Sequence, residues 1–122
     1  ALGGVWAPNE DRGVFKTTDG GKTWTKILFV DDGTGCADLA MHPTNPNILY
    51  AAMWDFQRKA YTFRSGGPGS GLYRTTDAGK NWEKVDVASD MGELGRIAVA
   101  FSPISPNIIY ALIESKKTGL YR

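Results

Sequence analysis

The sequence predicts an all-β repeat fold, and three observations carry that prediction. Thr17-Thr18-Asp19-Gly20-Gly21-Lys22-Thr23-Trp24 returns as Thr75-Thr76-Asp77-Ala78-Gly79-Lys80-Asn81-Trp82, an offset of 58 residues (75 − 17). The flanks return too: Gly13-Val14-Phe15-Lys16 matches Gly71-Leu72-Tyr73-Arg74 and then Gly119-Leu120-Tyr121-Arg122. Self-similarity at such a period marks a repeat architecture. Third, short β-branched and aromatic runs alternate with turn sequences, and the 15 glycines suit a turn-rich chain.

The repeated stretch reads as a hairpin. Val14 to Thr18 and Thr23 to Leu28 are strand-like, and Asp19-Gly20-Gly21-Lys22 between them is a turn sequence. Glycine takes positive φ without a Cβ penalty, and a short Asp side chain accepts bonds from the turn's own N–H groups. Trp24 can fold its indole against a neighbouring sheet. The residues spell Ser/Thr-x-Asp-x-Gly-x-Thr-Trp/Phe, the Asp-box. On both boxes and two Pro-x-x-Pro-Asn-Ile-(Leu/Ile)-Tyr-Ala segments, the chain resembles the Asp-box (BNR-repeat) β-propellers. That group includes sialidases, xyloglucan-degrading glycosidases and the sortilin-type receptor propeller; the likeness is greatest to bacterial sortilin-like and "glycosyl hydrolase"-labelled propellers. The resemblance implies four-stranded antiparallel blades: a partial blade at 1–30, a complete blade at 31–87 and a partial third at 88–122. It also implies that Thr17, Asp19, Gly21, Thr23, Trp24, Thr75, Asp77, Gly79 and Trp82 are structural, on a rim remote from the functional face.

Taken in order, Leu2 to Ala7 is expected as a strand, Pro8 to Arg12 as a turn, and Gly13 to Thr18 as the strand entering the first box. A strand over Trp24 to Val30 and a polar loop, Asp31 to Gly35, follow. Cys36 to His42 is a strand of small and apolar residues, and Pro43-Thr44-Asn45-Pro46-Asn47 is a turn by composition. Ile48 to Trp54 is apolar without alternation, as a strand covered on both faces should be. Asp55 to Ser70 is a long connection, Gly71 opens the next strand, and Trp82 to Val87 is a fourth. After the loop Ser89 to Gly95, Arg96 to Phe101, the turn Ser102 to Asn107, and Ile108 to Ile113 repeat the earlier order. Gly119 begins another strand.

Spacing singles out one connection. Tyr50 to Tyr73 is 23 residues, and the matching step from Tyr110 to Tyr121 is 11. Excess length on a rigid scaffold is where function tends to sit. A meander places alternate connections on one face, so the boxes share a face with the Pro-Asn turns. The 55–70 connection shares the opposite face with the loops at 31–35 and 89–95, the face by which propellers bind ligands in general.

The aromatic and basic residues of that connection are the candidate ligand site. Trp54, Tyr61 and Phe63 can stack on a sugar or hold a peptide, with Arg58 and Arg64 pairing a carboxylate; the alternative is packing on a neighbouring blade or domain. Glycoside hydrolysis needs two carboxylates roughly 5 to 9.5 Å apart. Asp31, Asp32, Asp55, Asp90 and Glu93 are the acids available, and nothing in their spacing requires that they meet; the alternative is solvated loop acids. No sialidase-like Arg-Ile-Pro segment is present. No catalytic residue is therefore assigned. Asp31-Asp32-Gly33 has oxygens suited to Ca²⁺ but lacks the alternating spacing of a calcium loop, so no metal site is assigned either. His42, the single histidine, reads as a strand-end residue, and Pro103-Ile104-Ser105-Pro106 as a turn, because Pro43 to Pro46 holds the same repeat position.

Lys and Arg number 14 against 13 for Asp and Glu, which gives no electrostatic case for nucleic acid. No apolar run is long enough for a spanning helix. Cys36, the single cysteine, excludes an internal disulfide and reads as a buried thiol. No cofactor is expected. The expected function is a non-catalytic binding segment offering loops to a peptide or glycan, with part of a glycoside hydrolase as the alternative. Expected partners are the remaining blades of a longer chain or other subunits, and the resemblance implies a secreted or cell-envelope location. Unpaired blade faces at both ends predict that these 122 residues alone are not a well-behaved monomer.

Overall fold

The computed structural model describes residues 1–87 and 90–122. Ten strands make three antiparallel sheets, with no helix among the described residues. β1 (Val14–Lys16) pairs with β2 (Thr25–Leu28). β3 (Thr34–Met41), β4 (Leu49–Lys59), β6 (Gly71–Thr75) and β7 (Glu83–Lys84) form a meander in that order, and β5 (Thr62–Ser65) pairs with the far end of β4. β8 (Ile97–Phe101), β9 (Ile109–Ile113) and β10 (Gly119–Tyr121) form the third sheet in simple succession. This is an all-β, β-propeller-like segment: one five-stranded sheet, a four-stranded meander with β5 added at the end of β4, stands between two smaller ones.

The stacking explains the unbroken apolar run in β4. Successive side chains of a strand point to opposite faces. Ala51 and Met53 pack with Val14 and Leu28 of the first sheet, while Ala52 packs with Leu72, Ile97, Val99, Ala111 and Ile113 toward the third. Ala51, Ala52 and Met53 are all fully buried. A strand covered on both sides has no polar face to show. Asp38 ties the inner strands of neighbouring sheets by accepting a bond from Val99 N–H at 2.9 Å.

Three expectations change. Leu2 to Ala7 is not a strand. Gly3 takes φ +62°, and the Gly4 and Ala7 carbonyls accept from the Asn9 side chain at 2.8 and 2.9 Å, so groups a ladder would use are already engaged. Isolated carbonyls still meet strands, Ala1 O accepting from Gly13 and Cys36 N–H and Val5 O from Arg58 N–H, but no continuous ladder forms. Second, the 55–70 connection is no open loop: β4 continues to Lys59 and turns back as β5, in the register Arg58↔Phe63 and Gln57↔Arg64. Third, β3 begins at Thr34, inside the expected 31–35 loop, because Thr34 and Gly35 pair with Asp55 and Trp54 of the extended β4. Of the loop expected over Ser89 to Gly95, Ser89 lies outside the described residues; Asp90 to Gly95 contain no strand.

The connections collect at two ends. Ala78 N–H of the Asp77 turn donates to Asn47 O of the Pro-Asn turn at 2.9 Å. At the other end Asn9 N–H donates to Asp32 O, and Gly67 N–H to Leu94 O at 3.3 Å. The 31–33, 55–70 and 93–95 segments therefore meet there.

Candidate functional site

The two Asp turns are built alike, bond for bond. Thr17 Oγ1 donates to Asp19 Oδ1 at 2.8 Å and accepts from Gly21 N–H; Asp19 accepts from Thr23 N–H at 2.9 Å and Thr23 Oγ1 at 2.7 Å. Thr75, Asp77, Gly79 and Asn81 reproduce the set, Asn81 Nδ2 donating at 2.7 Å where Thr23 used its hydroxyl. Trp24 and Trp82 donate their indole N–H to the Gly21 and Gly79 carbonyls. Hydrogen bonds to the ionised form hold both carboxyls at about 2, Thr23 leading at Asp19 and Asn81 at Asp77. These carboxylates are spent on their own turns.

At the opposite end the hairpin sorts the five candidate ligand residues. Trp54 stacks on Phe56 (centroids 4.3 Å, 21° between planes), meets Phe63 edge-on at 5.8 Å, and donates its indole N–H to Ser65 Oγ. Arg58 lies over the Phe63 ring at 5.9 Å. Tyr61, at the hairpin tip, is 83% exposed, and Phe63 51%. Arg64 sits opposite Gln57, hence on the other face of the hairpin from Arg58 and Phe63. There it pairs with the nearly buried Asp55 at 2.7 Å and donates to Gly66 O at 2.5 Å. Arg58 and Arg64 do not converge on one carboxylate. Trp54, Arg58 and Phe63 form one aromatic and basic group, and Tyr61 stands exposed at the tip beyond it.

The Arg64 face opens on a polar cavity of about 290 Å³, lined by Asp31, Asp32, Asp55, Gln57, Arg64 and Arg12. Arg12 is the residue that sequence reasoning missed. It is 1% exposed, donates to the carbonyls of Gly33, Phe56 and Gly4, and lies 4.3 Å from the Phe56 ring centroid. Burial pushes its pKa below the ordinary value, and Asp31, Asp55 and Asp32 act against that. The signal was a departure from the repeat: the residue before Gly13 is Arg12, where Ser70 and Thr118 precede Gly71 and Gly119. Arg12, Phe56, Trp54 and Arg96 make a continuous stack, because Arg96 lies 5.5 Å from the Trp54 ring. It joins all three sheets' segments.

The acids do not act as one group. Oxygens of Asp31 and Asp55 lie 3.3 and 3.6 Å from where a Gly33 Cβ would stand, so they flank one point. A Gly67 Cβ would fall 2.1 Å from Asp55 Oδ2, which is why that position approaches so closely without a side chain. Glu93 Oε1 lies 3.1 Å from where a Gly66 Cβ would stand, and Asp90 pairs with Lys117 beside a separate, apolar cavity of about 450 Å³. Among the described residues no group of three His, Cys, Asp or Glu is placed to hold a metal, and at the 31–33 loop the neighbouring cation is Arg12. His42 accepts from Thr44 and Asn45 N–H at its Nδ1, closing the Pro-Asn turn. Cys36 is free and half-buried, its thiol pushed up by burial.

Comparison with known proteins finds segments of larger chains. The sequence is 35% identical over 116 residues to a dispase autolysis-inducing protein of Streptomyces mobaraensis, covering 88% of this chain and 27% of that one. It is 31% identical over 85 residues to a probable oligoxyloglucan-reducing end-specific xyloglucanase of Neosartorya fischeri, covering 66% of this chain and 9% of the enzyme. It is 29% identical over 85 residues to a vacuolar protein sorting/targeting protein 10 of Fusarium vanettenii, covering 70% and 5% respectively. No family model matches the chain, and no solved structure does. The chain thus spans about a quarter or less of each of these relatives, and is similar to a part of proteins with differing roles.

Proposed function

We propose that the chain is a segment of an Asp-box propeller of the sortilin-like kind, secreted or envelope-facing, that binds a peptide or glycan without transforming it. The observation that carries this reading is the β4–β5 hairpin. It holds exposed Phe63 beside Arg58, with Tyr61 exposed at the tip, on a support fixed by Trp54, Phe56 and Ser65. Rigid aromatic groups with a cation beside them bind strongly for little ordering. The turn geometry at Asp19 and Asp77 supports the Asp-box assignment, and the names of the relatives support an extracellular or lumenal setting.

The test is a panel of peptides and oligosaccharides read by calorimetry, with the double variant Tyr61→Ala/Phe63→Ala. We expect at least a tenfold loss of affinity for the ligand so found, since aromatic anchors each contribute about 1–2 kcal/mol, and an unchanged melt. Equal affinity in the variant would remove the hairpin from the site.

One observation favours the second reading, part of a glycoside hydrolase: Asp31 and Asp55 flank one point, and one relative is named a xyloglucanase. Against it, Asp55 Oδ1 is held by Arg64 and its main-chain N–H by Ser70 Oγ. Release of sugar from xyloglucan oligosaccharides, abolished by Asp31→Asn, would establish hydrolysis instead.

A further inference from the structure

We propose that the open edge of the β4–β5 hairpin takes up an extended acidic peptide as an additional strand beside β5. This rests on the peptide side of the binding reading above and names the mode of binding.

The phase of the ladder carries the argument. Phe56 N–H donates to Gly33 O at 3.3 Å and Arg58 N–H to Val5 O at 3.2 Å, so both main chains face away from β5. Gly66 N–H donates to Asp55 O at 2.9 Å, which fixes the alternate residues as those that face it. Antiparallel strands alternate between inward and outward main-chain groups. With Gln57↔Arg64 and Lys59↔Thr62 in register, Arg64 and Thr62 face β4, and the N–H and C=O of Phe63 and Ser65 face outward. Among the described residues β5 pairs with β4 alone, and no other element bonds the main chain of Phe63 or Ser65. The far edge of β4 is closed by Gly33 and Val5. Glu114 borders the Ser65 end through the Ser65 hydroxyl, which leaves the stretch from Phe63 toward the tip open.

Exposed main-chain donors on an edge strand are a template for another strand, and side chains select which one. Here the selection is by charge. Arg58, Lys59 and Arg64 stand in the hairpin against two acids, Asp55, which Arg64 holds, and Glu114, which accepts from Ser65 Oγ at the end away from the tip. Among the described residues Arg58 and Lys59 form no ion pair. A side chain opposite Phe63 on an added strand shares the face that carries Arg58 and Trp54. A carboxylate there lies two strand spacings from the Arg58 main chain, on the face along which its guanidinium extends over Phe63, and a basic strand is repelled.

The experiment titrates the protein with the blocked peptide Ac-Thr-Glu-Val-Glu-Val-Thr-NH2 and with its Lys-for-Glu counterpart, following amide exchange by NMR. The acidic peptide is expected to slow exchange at Phe63 at least tenfold, and the basic one to leave it unchanged. Phe63→Ala removes the ring and keeps the donor; Phe63→Pro removes both, at a site whose N–H the hairpin does not use. The proline variant should bind about fivefold more weakly than the alanine variant, the worth of one hydrogen bond. Arg58→Ala should weaken binding about threefold and flatten its salt dependence. If peptides bind while the Phe63 amide stays unprotected, or both peptides bind alike, edge pairing is overturned and the binding reading stands. If oligosaccharides bind and no peptide does, the edge proposal fails alone. If neither class binds, both readings fail.

Discussion

Asp19 and Asp77 show how one carboxylate organises a turn. Each accepts three bonds from neighbours within four residues of itself, and each carboxyl stands at about 2 instead of the ordinary 3.8. A folded-state value below the unfolded one contributes stability that is complete above the unfolded value and is lost as pH falls toward the folded one. We therefore expect the melting temperature to drop between about pH 4 and pH 2, and the variant Asp19→Asn/Asp77→Asn to show a shallower drop in the same window. Melts at equal salt across that range check it; identical slopes for variant and parent would assign acid sensitivity to other groups. These bonds were legible in the sequence because all partners lie within one octapeptide. Arg12 was not, because its partners Gly33 and Phe56 lie 21 and 44 residues away.

At the scale of an element, the two turns differ in what they touch. Gly20 takes φ +74° with nothing near its missing Cβ, and its counterpart Ala78 holds φ 61°. Gly79 takes φ +90°, and a Cβ there would fall 2.6 Å from Ile27 Cδ1 in β2. Gly20→Ala should therefore destabilise by about 1 kcal/mol or less, and Gly79→Ala by about 1–3 kcal/mol, because strain and collision combine. Chemical denaturation of both variants checks the order; a larger loss at Gly20 would refute it. The same comparison separates the tryptophans. Trp82 packs on the cluster of Val14, Leu28, Ala51 and Met53, and Trp24, alike in its turn, is 60% exposed. Local sequence sets each turn, and the neighbouring sheet decides what the turn covers. The hairpin follows the same division. Its 12-residue excess was visible as length, but the pairing of β4 with β5 depends on a register that composition does not specify.

For the whole molecule, the unequal sheets matter. Leu112 and Leu120, on β9 and β10, are 53% and 69% exposed, and Leu39 and Met41 on β3 are 45% and 56% exposed. Repeat proteins bury such faces against neighbouring repeats. We expect concentration-dependent association of the chain, relieved by Leu112→Lys/Leu120→Lys. Sedimentation velocity over a hundredfold concentration range checks this. A single monomer boundary for the parent throughout would show that these faces tolerate water.

By itself the sequence determined the β-class, the repeat, both Asp turns and the meander, since those rest on local turn chemistry and on short-range hydrophobic pattern. Tertiary structure decided three things that cross between repeats. It placed Arg12 under Phe56 and beside Asp31, Asp32 and Asp55, it drew Arg64 onto Asp55 and away from Arg58, and it turned a long connection into the β4–β5 hairpin. Each depends on which distant groups arrive at the same place. A guanidinium or a strand edge takes its role from its partners, and those partners are fixed only when the sheets stack.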